Sequence, residues 1–311
     1  MKVLVTGGAG FIGSNLCERL LADPTIEQVR VIDDLSTGFA ENLSGLGVEF
    51  HEASILDVGA LERASSGCDA IVHLAALGSV PRSIENPMAT HDANATGTLN
   101  VLQAARRVGN AHVVLASSSS VYGANPRLPK SEDMLCQPMS PYAVTKLATE
   151  QYAMAFAKVY DLPVLPFRFF NVYGPKQRAG HVYAAVIPVF VDAAVRGVPL
   201  PVNGDGQQSR DFTYVGTVVD VLATAVTAQV TGGPTNLAFG SRTSLLDLIA
   251  LIEQGIGRSV EVEHRPARTG DVPHSQADNS VLRGLFPSLD PVPLEEGVRA
   301  TIAWMEQTLQ V

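Results

Sequence analysis

The sequence has no long hydrophobic run. Its apolar start, "MKVLV", gives way to glycines after about five residues, short of the ~20 needed to span a membrane and of the ~7–15 in a signal-peptide core. A soluble, unprocessed protein that does not enter a membrane is expected. Cysteine is scarce: Cys17, Cys68 and Cys136 form no CxxC or metal-ligand spacing, and their odd number argues against a disulfide framework. Neither a structural metal nor an oxidising compartment is expected, and a reducing cytoplasm fits best. Positive charge is also in deficit, with 22 Lys and Arg against 31 Asp and Glu and a net charge of −9. The broad basic face of a nucleic-acid binder is missing, so no DNA or RNA partner is expected. An anionic ligand remains possible locally, through Arg82, Arg178, Arg210 or Arg268, although each alone is more often a solvated surface arginine.

What is present is an ordinary globular composition, 46% apolar and 17% charged, with no internal repeat and no segment of disorder-like bias. At 311 residues the chain exceeds the ~250–300 at which single cores tend to split, so two unequal lobes are expected. Short apolar runs, "KVLVT" (2–6), "VRVID" (29–33), "VEFHEA" (48–53), "AIVHLAA" (70–76), "HVVLAS" (112–117) and "LPVLPFRFF" (162–170), alternate with amphipathic stretches such as "FIGSNLCERLLA" and "NATGTLNVLQAARRVG". Gly109 is a plausible stop for the second of these. Continuously apolar strands suit a parallel sheet covered on both faces, and the alternation predicts a Rossmann-type doubly wound α/β fold. After about residue 171 the rhythm breaks into Pro- and Gly-punctuated pieces, while "FTYVGTVVDVLATAV" reads as a return to the first lobe. The expected division is therefore 1–171 plus about 213–240 for a dinucleotide-binding domain, and 172–212 plus 241–311 for a smaller substrate-binding lobe.

"TGGAGFIG" follows the first strand and opens the first helix, setting Gly7, Gly10 and Gly13 in a G-x-x-G-x-x-G frame. Glycine lets the backbone turn tightly and approach a pyrophosphate, whose charge then lies at a helix N-terminus. A packing turn is the bland alternative. Asp33, about twenty residues on at the end of the second strand, stands where a ribose 2′-hydroxyl partner belongs and would repel a 2′-phosphate, which favours NAD over NADP. Asp34 beside it also reads as a turn residue. Downstream, "SPYAVTKLATEQYA" places Tyr142 and Lys146 four apart on one helix face. A cation there would stabilise a phenolate, although the same spacing occurs on many solvated helices.

Taken in order, "TGGAGFIGS", "HLAA", "NATGT", "SSSSVYG", "SPYAVTK", "RFFNVYGP", "GDGQQSRDFTYV" and "RTGDVPHSQAD" resemble the extended short-chain dehydrogenase/reductase family, in its nucleotide-sugar epimerase branch, over nearly the whole chain. The resemblance implies a Ser118–Tyr142–Lys146 catalytic set. Tyr142 would take the proton of a sugar 4-hydroxyl, Ser118 would relay it, and Lys146 would hold the ribose and lower the tyrosine pKa. It implies an NAD site of Gly7, Gly10, Phe11, Ile12, Gly13, Asp33, Asp34, Ser36, Thr37, Gly38, Ile55, Leu74, Ala75, Ala76, Asn94 and Phe170, with Tyr142 and Lys146. Where the family often has an Asp-Ile pair at adenine, this chain has Ser54-Ile55, so adenine is held more loosely or Asp57 compensates.

On the substrate side the resemblance implies a UDP-sugar held by Ser79, Ser119, Tyr142, Asn171, Val186, Arg210, Arg268, Asp271 and Ser275. Arg82 and Ser83 also stand near the sugar, and Ser120 is structural. Related 4,6-dehydratases carry Asp-Glu where this chain has Ser119 and Ser120, and serine cannot do that acid/base work near neutral pH, so dehydration is disfavoured. A small Ser275 leaves room for an N-acetyl group. The expectation is interconversion of UDP-GlcNAc and UDP-GalNAc, and of UDP-Glc and UDP-Gal as a second pair. A UDP-uronic acid epimerase or decarboxylase, using Arg82 or Arg178, is the alternative enzyme; a non-catalytic NAD sensor is the alternative from another class. A homodimer through the helices near 94–108 and 142–160 is also implied.

Overall fold

A computed structural model describes residues 1–180, 184–266 and 273–309. The first half alternates strand and helix: β1 (Lys2–Thr6), α1 (Phe11–Leu21), β2 (Gln28–Asp33), β3 (Glu49–Glu52), α2 (Val58–Ser65), β4 (Ala70–His73), α3 (Val80–Glu85), α4 (Pro87–His91), α5 (Gly97–Arg107), β5 (His112–Ser118), α6 (Pro141–Tyr160) and β6 (Val164–Phe169). With the later strand Thr235–Leu237 these build one seven-stranded sheet, ordered Thr235–Leu237, β6, β5, β4, β1, β2, β3. Every pairing in it is parallel. This is the doubly wound arrangement expected from the sequence. The strand order reverses between β1 and β4, so a crevice opens beyond their carboxyl ends.

The unbroken apolar runs are explained by what lies on each face. In β1, Val3 and Val5 point into one core with Val29, Val31 and Leu222, while Leu4 points into the other with Ile32, Ile71, Leu102 and Leu115. Each strand must be apolar at successive positions because both of its faces are covered. The helix Val215–Thr227 lies alongside α1 on the first face, and Arg19 Nε donates to Asp220 Oδ1 at 2.6 Å across that contact. A third core, with Phe190, Leu248, Ile252, Val298 and Ile302, joins the helices Val186–Arg196, Leu245–Ile256 and Leu294–Leu309.

Local signals set the helix ends. Asp57 caps α2 by accepting from Ala60 N, and Ser140 caps α6 by accepting from Ala143 N, with Pro141 at its first position. The helix read from Asn94 onward begins differently: Asp92–Thr96 forms a wide π-type turn, and regular helix starts at Gly97. Gly97 lets Ile55 pack close, since a Cβ there would come 2.4 Å from Ile55 Cδ1. Gly109, at φ 97°, stops α5 as expected. Among the described residues no helix is long and apolar enough to cross a membrane.

Candidate active site

The crevice is a cavity of about 800 Å³. The Gly7–Gly13 turn forms its floor. Gly7 has φ 72° and its N–H donates to Ile32 O at 2.9 Å; a Cβ on Gly13 would stand 2.2 Å from Gly7 O. Gly10 caps α1 without a side chain, so the first-turn N–H groups keep their capacity for a ligand. Asp33 closes the far end of the turn. Its Oδ2 accepts from Ala9 N at 3.0 Å and its Oδ1 from Leu35 N at 2.8 Å. Burial pushes its carboxyl above the usual range, and those two bonds oppose the shift.

Phe11, Ile12, Asp34, Ser36, Thr37, Ile55, Leu74, Ala75, Ala76 and Phe170 line the same cavity. Asp34 is also the turn residue foreseen, accepting from Ser36 N at 3.0 Å. Ser54 lines it too, whereas Asp57 caps α2 through Oδ1 and is not in the cavity lining.

At the inner end stand Ser118, Tyr142 and Lys146. Ser118 ends β5 and its Oγ accepts from Ser120 N at 3.2 Å. Lys146 is 6% exposed, and its Nζ donates to Ala116 O at 2.8 Å. Burial lowers its pKa to about 8, with the Glu150 carboxylate pulling the other way. Burial raises the Tyr142 pKa, and the neighbouring Ser118 opposes the shift.

A second cavity of about 340 Å³ adjoins the first, with Phe170 and Val172 in the shared wall. Asn171, Val186 and Arg210 line it as expected, and Asn203 and Gln208 join them. Arg210 Nη1 donates to Ser209 O and Pro273 O.

Several expected contacts lie off these walls. Gly38 packs beside Asp33, where a Cβ would stand 3.0 Å from its Oδ1. Asn94 is buried behind the cavity: its Oδ1 accepts from Leu77 N, and its Nδ2 donates to Leu77 O and Thr145 Oγ1. Ser79 caps α3, with φ 122°, and Ser119 opens the short helix after β5. Ser275 bonds through its N–H to Ser209 O and lines neither cavity. Arg268 and Asp271 lie outside the described residues.

Behind the cavity runs a polar network. Thr98 Oγ1 donates to Asn94 O, so His73 Nε2 carries the hydrogen that meets Thr98 Oγ1 at 3.0 Å. The neutral ring then accepts at Nδ1 from Thr6 Oγ1 at 2.7 Å, and Thr6 Oγ1 accepts in turn from Ala75 N. Burial, helped by the Lys146 cation, lowers the His73 pKa to about 3, which keeps the ring neutral. Sequence reading also passed over Ser117, Glu150 and Arg168. Their signals were a carboxylate four residues beyond Lys146 and a lone charge inside the apolar strand "LPVLPFRFF".

The family model for "NAD dependent epimerase/dehydratase family" matches residues 3–238. The chain is 39% identical to a UDP-glucose 4-epimerase of Mycolicibacterium smegmatis, covering 100% of both. It is 32% identical to a probable UDP-glucuronate 4-epimerase of Rhizobium meliloti, covering 99% of this chain and 97% of that one. It superposes with a TM-score of 0.93 and 35% identity on a UDP-N-acetylglucosamine 4-epimerase of Methanobrevibacter ruminantium, solved with UDP-N-acetylmuramic acid, covering 99% and 98%.

Proposed function

We propose that this chain, which belongs to the NAD dependent epimerase/dehydratase family, inverts C4 of UDP-sugars that carry a neutral hexose, with UDP-GlcNAc/UDP-GalNAc and UDP-Glc/UDP-Gal as its pairs. The observation that carries the reading is the opening of Ser118, Tyr142 and Lys146 into the same cavity as the glycine turn and Asp33. The residues fit NAD: Gly13 has no room for a side chain, Asp33 stands at the ribose position, and Ile55, Leu74, Ala75 and Ala76 offer apolar wall. When bound, NAD would supply the hydride acceptor and, in its oxidised form, a positive ring charge.

Tyr142 accepts the proton of the 4-hydroxyl. Ser118, which lines the cavity with Tyr142 and is fixed by Ser120 N, shares that proton. Lys146 holds the ribose and, as a cation, favours the phenolate once the cofactor is in place. The 4-keto sugar turns over within the cavity and is reduced on its other face, so nothing is consumed. The adjoining cavity, with Asn171, Val186 and Arg210, suits a nucleoside diphosphate.

Two observations favour a neutral sugar without elimination. Arg178, with Arg82 one of the two candidate partners for a uronate carboxylate, stacks 3.5 Å over the Phe39 ring and lies near Glu41, away from the cavity walls. Ser119 and Ser120 offer no acid/base pair for loss of water. The presence of Ser118, Tyr142 and Lys146 together disfavours a sensor. We further propose a homodimer through α5 and α6, supported by exposed Val144 and Val159 on α6, and a cytoplasmic location, supported by buried free thiols at Cys17 and Cys68.

The test is incubation of the purified protein, without added NAD, with UDP-GlcNAc, UDP-Glc and UDP-glucuronate, followed by proton NMR and mass spectrometry. A C4 epimer of unchanged mass from the first two supports the reading. Loss of water or carbon dioxide, or turnover of the uronate alone, overturns it.

A further inference from the structure

Lys146 and Glu150 are four residues apart on α6, a spacing at which lysine and glutamate on one helix face pair with each other. In this chain they do not. Lys146 Nζ donates to a neutral carbonyl, Ala116 O at 2.8 Å, and among the described residues it has no ion-pair partner. Glu150, wholly buried, is occupied from elsewhere. Arg168 of β6 donates from Nε to Oε1 and from Nη2 to Oε2, both at 2.9 Å, and Ser117 Oγ donates to Oε1 at 2.5 Å. The arginine is itself fixed from behind: Nη1 donates to Tyr122 OH at 2.9 Å, and the guanidinium lies 4.8 Å from the Tyr122 ring centroid. Tyr122 OH in turn donates to Asn236 Oδ1 at 2.6 Å.

From this arrangement we propose that Arg168 is a positioning residue for the reaction: by taking both oxygens of Glu150 it keeps Lys146 from pairing with that carboxylate and leaves its ammonium to the cavity. The proposal rests on the epimerase reading only for what Lys146 does once it is free. One buried carboxylate stands between two buried cations, and the forked, bidentate partner with a third bond from Ser117 holds it. Either pairing leaves one buried cation without a counter-charge; the observed one leaves the lysine, which bonds the Ala116 carbonyl and can shed its proton, whereas a guanidinium cannot, so it is the stable one while the arginine is present. Without it, nothing opposes the local pair. The titratable and charged groups around Lys146 are Tyr142 and Glu150 on its own helix, His73 on β4 and Arg168 on β6.

The experiment compares the wild type with Arg168→Met, and with Arg168→Met combined with Glu150→Gln. Two readouts are used: steady-state turnover of UDP-Glc, and the titration of Lys146 by NMR of ε-13C-lysine-labelled protein, assigned with Lys146→Met. Expected for Arg168→Met is a fall of about tenfold or more in kcat with KM changed less than about threefold, and a Lys146 acid dissociation constant lowered about tenfold as the new ion pair forms. In the double variant both effects reverse, because the competing carboxylate is gone. An unchanged Lys146 titration in Arg168→Met, or a double variant as impaired as the single one, overturns the proposal. Should Arg168→Met not fold, Arg168→Lys replaces it; an ammonium cannot span both oxygens, so a smaller shift of the same sign is expected, and a wild-type titration refutes the idea. The NMR readout needs no substrate. Absence of turnover in the wild type would therefore count against the epimerase reading alone.

Discussion

Gly13→Ala tests the cofactor cradle at its tightest point. The added methyl would stand 2.2 Å from Gly7 O, 2.7 Å from Gly8 Cα and 2.9 Å from the Gly7 carbonyl carbon. Non-bonded carbon contacts relax near ~3.5–4.0 Å, and all three neighbours are backbone, so the turn must move by about 1 Å to admit it. Overpacking of this kind costs about 1–3 kcal/mol, which is a factor of about 5 to 150 in an equilibrium constant. The cost divides between fold and cofactor. If the turn stays, the protein loses stability; if it yields, the N–H groups at the start of α1 no longer meet the pyrophosphate and NAD affinity falls. The assay is NAD released from the purified protein by heat, calorimetric titration of stripped protein with NAD, and the melting temperature of both. Gly47→Ala is the control, since nothing lies within 4 Å of its added Cβ and its φ is ordinary; its NAD content should match the wild type. A Gly13→Ala protein with both wild-type affinity and wild-type melting temperature would refute the cradle.

Four further outcomes follow from named groups. Tyr142→Phe keeps the ring and should keep the fold and bound NAD while kcat falls about 10²–10⁴-fold, read in the NMR assay. Lys146 has its pKa held at about 8 by burial with Glu150 opposing, so if its cation is required, kcat/KM declines as pH rises through about 8; Glu150→Gln, which removes the opposing charge, should move that decline to lower pH. His73 is depressed to about 3 from 6.5, so the unfolded chain binds the extra proton between those values. Stability should therefore fall as pH drops through that window, by at most about 5 kcal/mol, and urea midpoints at pH 7 and pH 5 should differ less in His73→Gln. Arg178→Ala should leave UDP-Glc turnover within about twofold, since an exposed cation–π contact contributes about 0.5–1 kcal/mol to the fold rather than to the site; a loss beyond tenfold would return that arginine to the substrate.

The parts of the site that were legible in sequence share one property: their chemistry is tied to a local spacing. The glycine frame, Asp33 at the end of its strand and the Tyr142–Lys146 pair each occupy one strand–turn–helix or one helix face, and the cavity gathers them. The direction of the Asn94 side chain was not legible, because the wide turn at Asp92–Thr96 sets it and its amide bonds Leu77 and Thr145. The placing of Ser275 likewise depends on a long-range contact, its N–H donating to Ser209 O. The Glu150–Arg168 pair was out of reach in a different sense. Local spacing points to Lys146–Glu150, and only the parallel register that places Ser118 opposite Phe169, and hence Ser117 opposite Arg168, brings a competing cation to the carboxylate. Here the long-range partner wins over the locally favoured one because the guanidinium fork meets both carboxylate oxygens, which an ammonium cannot do. That difference in geometry is why the charge inside "LPVLPFRFF", the least expected residue of its strand, has more to say about the lysine than the lysine's own helix does.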